Sequence, residues 1–226
     1  MQKLFVISLG GSLIVPDEVD IKFLKGFKSL IERHTKRGSR FILIAGGGRI
    51  CRKYQAALSK ISKPDNTSLD WLGIQATWLN AKLIQLMFGK RANPKIVSNP
   101  NEKFNFKEKI LVAGGWMPGR STDDDAVRLA LAYGGKTIIN LSNIPFLYSK
   151  DPKKFKDAKK IKNISWQGLL KITGNKWNPG ANLPFDPTAA KTAKGSGIRA
   201  IIAAGKNLKN LESILLGKTF EGTLIE

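Results

Sequence analysis

A chain of 226 residues with 42% hydrophobic residues can fill one proper core or two small ones, and 22 Gly with 10 Pro supply turns without a disordered composition. A single Cys and a single His exclude an intramolecular disulfide, a Cys-x-x-Cys redox pair and any site needing two imidazoles. The 38 Lys and Arg against 17 Asp and Glu leave a net charge of +21, so an anionic partner is expected: nucleic acid, a membrane surface or a phosphorylated small molecule.

Leu4–Leu9 is a short apolar run stopped by Gly10-Gly11, the pattern of a buried strand. The glycine pair breaks the apolar N-terminus, no small-residue cleavage site follows, and Pro16-Asp17-Glu18 comes at once, so a signal peptide is not expected and the chain reads as cytoplasmic. No run approaches the roughly 20 apolar residues of a membrane span. From Asp17 to His34 the apolar positions Phe23, Leu24, Phe27, Leu30 and Ile31 recur at helical spacing, and Gly38 closes the segment. Phe41–Ala45 predicts a second buried strand, ending in Gly46-Gly47-Gly48, after which Arg49 opens a helix.

A long helix is expected over Asp70–Phe88, with Ile74, Trp78, Leu79, Leu83, Leu86 and Met87 on its buried side. Lys95–Ser98 and Ile110–Ala113 read as strands. Thr122–Tyr133 reads as a helix with an acidic first turn, stopped by Gly134-Gly135. Lys136–Ser142 is the next strand. Asp186-Pro187 is an N-cap followed by Pro at the first helical position, opening a helix that ends near Gly197. Ile198–Ala203 is a strand, Leu208–Leu216 a helix and Thr219–Ile225 a final strand. Strands alternating with helices on this scale predict an α/β fold, a three-layer α/β/α sandwich around a mostly parallel sheet. Residues 99–109 and 150–162 are polar, irregular insertions.

One event recurs: a buried strand runs into glycines and then into a helix. It happens at Leu9-Gly10-Gly11-Ser12, at Ala45-Gly46-Gly47-Gly48-Arg49 and at Ala113-Gly114-Gly115. The carboxyl ends of strands carry the ligand site in an open α/β sheet, and glycine there lets backbone N–H groups approach phosphate oxygens. A single glycine pair is more often only a tight turn; three such junctions make phosphate binding the better reading. No Gly-x-x-x-x-Gly-Lys-Ser/Thr loop and no Gly-x-Gly-x-x-Gly fingerprint occurs, so the scaffold is neither of those.

Two further constellations follow. In Pro118-Gly119-Arg120-Ser121-Thr122-Asp123-Asp124-Asp125, Ser121 or Thr122 can cap the helix and Arg120 offers a fork for phosphate. One of the three Asp is expected to hold ligand loops or approach a metal. Asp124 and Asp125 read as ordinary acidic bias at a helix N-terminus. Ser142-Asn143 through Tyr148 and Asp151-Pro152 begins at a strand end and offers an aromatic ring and a fixed carboxylate, as a purine and ribose would need.

Taken together and in order, these motifs resemble the amino-acid kinase superfamily and, within it, the short archaeal-type uridylate kinases. The resemblance runs from Gly10–Pro16 through Gly46–Arg49 with Arg52-Lys53-Tyr54, Asp70–Gln75, Gly114-Gly115, Pro118-Gly119, Ser121-Thr122-Asp123, Ser142-Asn143, Tyr148 and Asp151–Lys154 to Asp186-Pro187, Ala189-Ala190-Lys191, Ser196-Gly197-Ile198 and Gly222–Ile225. It implies one domain over residues 1–226, with the nucleoside-monophosphate side mainly in 1–135 and the ATP side mainly in 136–226. The implied reaction moves the γ-phosphoryl group of ATP to UMP with Mg²⁺, usually in a homohexamer. Residue by residue, it places ATP against Ser8, Leu9, Gly10, Gly11, Ser12, Gly47, Arg52, Ser142, Asn143, Tyr148 and Asp151. It places UMP against Gly46, Asp70 at the sugar, and the loop Trp116, Met117, Pro118, Gly119, Arg120, Ser121 and Thr122. No residue is assigned to a metal.

Ser8 stands where many superfamily members carry a lysine on the transferring phosphoryl, so the replacement cation is sought in Arg49, Arg52 and Lys191. Pro145-Phe146 replaces the usual Asp-Gly, and Trp116-Met117 replaces smaller or polar residues. Two rival readings share the fold: a sister kinase acting on a carboxylate or an isoprenoid phosphate, and a nucleic-acid-binding or regulatory protein. Because most cations fall on helix faces and in residues 150–162, away from the glycine junctions, nucleic acid is not among the expected partners. His34 reads as a helix-end residue and Cys51 as a packed thiol. Trp71 and Trp78, seven apart, read as core or subunit contact.

Overall fold

The computed structural model describes residues 3–102, 105–150, 152, 154–174 and 183–226. In chain order the elements are β1 (Leu4–Leu9), α1 (Gly11–Ile14), α2 (Ile21–Lys36), β2 (Arg40–Ala45), α3 (Gly48–Ile61), α4 (Asn66–Phe88), β3 (Ile110–Ala113), α5 (Thr122–Tyr133) and β4 (Thr137–Ser142). They continue with β5 (Leu147–Tyr148), β6 (Lys160–Ile161), β7 (Asn163–Ile164), α6 (Trp166–Thr173), α7 (Pro187–Gly195), β8 (Arg199–Ala204), α8 (Leu208–Leu216) and β9 (Thr223–Ile225).

The main sheet has the order β3-β2-β1-β4-β8-β9-β7. Its pairs are parallel except β8 with β9. β5 and β6 form a separate antiparallel ribbon. The chain leaves β1 toward β2 and β3, then returns to the other side of β1 for β4. The strand order therefore reverses at the β1–β4 boundary, where a crevice opens beyond the carboxyl ends.

The strands read as unbroken apolar runs because both sheet faces are covered. Ile7, Leu9, Leu43 and Val112 pack with α2, α4 and α8 on one face. Val6, Ile42, Ile44 and Leu111 pack with α5, α6 and α7 on the other. This is the expected three-layer α/β/α sandwich.

Several boundaries depart from expectation, each for a local reason. α4 begins at Asn66, not Asp70, because Asp65 caps it by accepting from the Ser68 N–H at 2.7 Å. Lys95–Ser98 is not a strand; only Val97 pairs, with Ala113, because the Asn93 side chain turns the chain by accepting from the Lys95 N–H. Residues 219–222 form a loop ahead of β9, since Asn210 takes both the Glu221 N–H (2.8 Å) and its C=O (2.6 Å). α6 and the two-residue strands β5, β6 and β7 are not announced by the residue pattern.

The largest correction concerns α4. Leu79 and Leu86, expected inside, are 60% and 69% exposed, while Ile74, Thr77, Asn80, Ala81, Ile84, Gln85 and Phe88 are buried. α4 is apolar nearly all round, so periodicity alone could not choose a face. Packing against β2, β3 and α3 chose it.

His34, near the end of α2, is buried, and its Nε2 meets no hydrogen-bond partner. Burial holds its pKa below the usual histidine value, with Arg33 and Arg37 acting the same way against Glu212. A depressed imidazole pKa stabilises the fold above the unfolded value of about 6.5 and withdraws that stability as pH falls below it. His34→Leu is therefore expected to flatten the decline of Tm on acidification from about pH 7 to 5. An unchanged decline in a thermal-melt series would assign it to other groups.

Candidate active site

The three glycine junctions converge at the carboxyl edge of the sheet. The Gly46 N–H donates to the Leu9 C=O and the Gly10 N–H to the Leu141 C=O, both at 2.9 Å. A Cβ on Gly11 would lie 2.0 Å from the Gly48 N and 2.5 Å from the Gly46 O. Gly48 has φ +69°, and a Cβ on it would lie 2.5 Å from the Gly11 O, so both positions require glycine. The ends of β1 and β2 thus touch backbone to backbone, with α1 and α3 starting from the contact. No side chain caps α3 at Gly47.

α4 fixes this arrangement from below with buried polar side chains that the sequence reading passed over. Asn80 donates to the Gly46 C=O (2.7 Å) and the Gly47 C=O (3.3 Å). In a trans peptide C=O and N–H are antiparallel, so the Gly47 and Gly48 N–H groups are turned away from Asn80. Thr77 Oγ1 accepts from the Gly115 N–H (2.7 Å) and Trp78 Nε1 donates to the Gly115 C=O (2.7 Å). Polar residues within the buried register of an otherwise apolar helix are the signal that marks them.

Between α3, α4 and the β3–α5 loop lies a cleft of about 290 Å³. Gly47, Gly48, Arg52, Asp70, Arg120 and Thr122 line it, together with Cys51, whose thiol pKa burial pushes up against the pull of Arg52. Asp70 Oδ2 accepts from the Gly119 N–H at 2.8 Å and so tethers the loop. An Arg52 Nη2 hydrogen bond to Ser12 Oγ, at 3.4 Å, links the cleft to the β1 junction.

Other expected residues are placed differently. Arg49 is drawn off to Asp17 (3.4 Å), which also holds Lys53 (3.0 Å), and all three are exposed. Trp116 and Met117 do not line the cleft: the Trp116 ring lies 5.3 Å from the Arg128 guanidinium, beside α5, and Met117 faces solvent. Gly46 lies behind the cleft, held by Asn80. Leu9 is buried in the core and meets the site through its backbone alone. Ser8 is buried in β1 level with Asn140 of β4. Lys191 is exposed in the second turn of α7. Beyond Gly10–Ser12, β4 delivers Ser142 and Asn143, and β5 the half-buried Tyr148. Pro118 sits at the loop tip; Asp151 lies outside the described residues.

Ser121 caps α5, and its hydroxyl donates to Asp186, the N-cap of α7. Asp123 joins the same network: Oδ1 accepts from Asn140 Nδ2 (3.0 Å) and Oδ2 from the Asp186 N–H (3.2 Å). Burial first, then the charges of Asp186 and Asp124, push the Asp123 carboxyl up to about 7. Asp124 and Asp125 are fully buried, not solvated acids at a helix start. Asp124 holds Arg128 (2.8 Å) and Arg120 (3.5 Å), so the Arg120 fork reaches the cleft already partnered. Asp125 accepts from the Trp116 N–H (3.3 Å); burial and the Asp124 charge push it up to about 8.

Among the described residues no cluster of three or more His, Cys, Asp or Glu is placed to hold a metal ion, and no helix is long and apolar enough to cross a membrane.

The Amino acid kinase family profile matches residues 3–204. The uridylate kinase of Thermoplasma volcanium is 34% identical over 229 residues, covering 100% of this chain and 99% of that protein. That of Pyrococcus abyssi is 33% identical over 224 residues, covering 98% of each. The solved uridylate kinase from Archaeoglobus fulgidus superposes with a TM-score of 0.79 at 28% identity over 100% of both chains. The UMP kinase from Bacillus anthracis, at 20% identity over 99% of this chain and 96% of that one, shares the fold with a TM-score of 0.78.

Removing the Asn80 amide strands two glycine carbonyls. Asn80→Ala is expected to cost about 1–3 kcal/mol in chemical denaturation. A change below about 0.5 kcal/mol would show that the loop holds its shape unaided.

Proposed function

The chain belongs to the amino acid kinase family, and we propose that it transfers the γ-phosphoryl group of ATP to UMP, giving ADP and UDP. The observation that carries this reading is the cleft. An uncapped helix start and Arg52 face a carboxylate, Asp70, across a space next to the strand-end glycines. That pairing suits a molecule with a phosphate at one end and a sugar diol at the other. Asp70 would repel a substrate's carboxylate and could meet an acidic substrate only through an amine or amide N–H, whereas a sugar diol offers it two donors.

The acceptor phosphate is already an anionic nucleophile, so the reaction needs in-line positioning and charge neutralisation more than a base. Arg52 and the Gly47 and Gly48 N–H groups hold the acceptor phosphate, which moves Gly47 from the ATP set to the UMP set because it lines the cleft with Asp70, and Asp70 takes the ribose hydroxyls. ATP lies along Gly10, Gly11 and Ser12, with Ser142, Asn143, Tyr148 and Asp151 at its nucleoside. Arg52, bonded to Ser12, stands between the two phosphate chains and is the first choice for the cation that Ser8 does not supply. Arg49 is engaged by Asp17, and Lys191 remains the candidate on the ATP side. Mg²⁺ brought with ATP would neutralise phosphate charge, and Asp123, Asn140 and Ser142, at the start of α5 and the carboxyl end of β4, would be the side chains to hold it. Asp123 also ties α5 to β4 and to the start of α7, joining an acceptor half (1–135) to a donor half (136–226) of one domain. The reaction belongs in the cytoplasm, where both nucleotides are found.

The chain is expected to work as a homo-oligomer. Trp71, Leu79 and Leu86 form an apolar strip on the outer face of α4, 46%, 60% and 69% exposed, and a second copy of this chain is the proposed cover. Leu79→Glu with Leu86→Glu is expected to lower the assembly state seen by light scattering; an unchanged mass would place the interface elsewhere.

A coupled ATP-consumption assay over UMP, CMP, acetylglutamate, aspartate and isopentenyl phosphate tests the reaction. Preference for UMP is expected; no turnover with UMP, or equal turnover with CMP, overturns the reading. Asp70→Asn is expected to raise KM for UMP about 10- to 100-fold, the loss of a charge-assisted bond, with KM for ATP nearly unchanged. A rise confined to ATP would reverse the two subsites.

A further inference from the structure

The basic excess that the cleft leaves unused is gathered by the fold. α2 buries Phe23, Leu24, Phe27, Leu30 and Ile31 and turns Lys22, Lys25, Arg33 and Lys36 outward. At 100° per residue these four fall within one narrow arc, a stripe about 21 Å long. α8 runs beside it: a Cβ on Gly26 would lie 2.7 Å from Leu208 Cδ1, and Arg33 meets Glu212 at 3.2 Å. α8 adds Lys209, and Lys206 just before it, to the same surface. The carboxylates on this face are already engaged, Asp20 with Lys206, Glu32 with Lys28 and Arg91, and Glu212 with Arg33. Among the described residues no carboxylate lies within ion-pair distance of Lys22, Lys25, Lys36 or Lys209.

Such a surface repels itself unless a partner carries negative charge at similar spacing. A lipid surface fits poorly, because the apolar side of α2 is spent on the core, and Val19, Ile21 and Leu216 are exposed singly near the helix ends rather than as a face to insert. Single-stranded nucleic acid calls for exposed aromatic platforms, and among the described residues the exposed aromatic side chains, Tyr54, Trp71 and Phe155, belong to neither α2 nor α8. What remains is a straight row of cations on a rigid layer, suited to backbone phosphates. We propose that the α2–α8 face binds the phosphodiester backbone of a nucleic-acid duplex without regard to sequence. This does not depend on the kinase reading.

Fluorescence anisotropy with a labelled duplex of about 20 base pairs, DNA in one arm and RNA in the other, tests it. With these four lysines engaged, affinity is expected to fall about 100-fold between about 50 and 200 mM salt. Replacing Lys22, Lys25, Lys36 and Lys209 together by Gln should abolish most of the binding and of the salt slope while leaving Tm unchanged. A charge-matched control replaces Lys154, Lys156, Lys159 and Lys160, exposed elsewhere, and should keep most of the affinity. Equal losses in the two variants would mean net charge alone and overturn the proposal. So would absence of duplex binding at low salt, or binding to phosphatidylcholine–phosphatidylglycerol vesicles but to neither duplex.

Discussion

The close approach of two loop backbones, Gly11 against Gly46 and Gly48, is the constraint on which the rest depends. Any side chain at Gly11 would overlap the Gly48 amide, so β1 and β2 can bring their carboxyl ends together only with hydrogen there. Once they touch, α1 and α3 must both start at the same point above the sheet. Two helix starts converging beside a reversal of strand order make a local excess of N–H groups, and nothing in the sheet satisfies them. That geometry is the ground on which phosphate binding is proposed at this place.

α4 converts the contact into a site. Its buried Thr77 and Asn80 spend their hydrogen bonds on the backbone of two different glycine junctions, and Trp78 joins Thr77 at Gly115. One rigid helix therefore sets the relative position of the α3 start and the β3–α5 loop, while Asp70, two turns earlier, tethers the loop tip at Gly119. A carboxylate that already holds a backbone N–H is oriented before any ligand arrives, which lowers the ordering cost of binding.

On the opposite side, the acidic start of α5 is structural rather than solvated. Asp123, Asp124 and Asp125 each face a different partner set: the α7 cap with β4, the two arginines, and the Trp116 amide. Burial so close together raises the pKa of Asp123 and Asp125, and Arg120 and Arg128 supply the compensating charge that lets Asp124 sit inside. Arg120 is thereby held at the cleft wall by a partner outside the cleft.

Much of this was legible in the residues. The apolar runs of β1, β2, β3, β4 and β8 announced strands covered on both faces, and the glycines after them marked where a ligand would sit, because only glycine permits such approach. Arg52 and Asp70 belong to none of these junctions and were expected only through the family resemblance. The sequence could not choose the buried side of α4, since an all-round apolar helix has no preferred face until neighbours pack on it, and Leu79 and Leu86 went outward as a result. Nor could it tell Asp124 and Asp125 from ordinary helix-start acids, or Arg49 from Arg52, because ion pairs such as Arg49–Asp17 join residues brought together by a loop fold. By itself the sequence determined the layered α/β architecture and the placing of the glycine junctions at the strand ends, through patterning and backbone sterics. Which charges face the cleft, which hold the loops and which gather on the α2–α8 surface were decided by the tertiary structure alone, because each depends on distances between segments far apart in the chain.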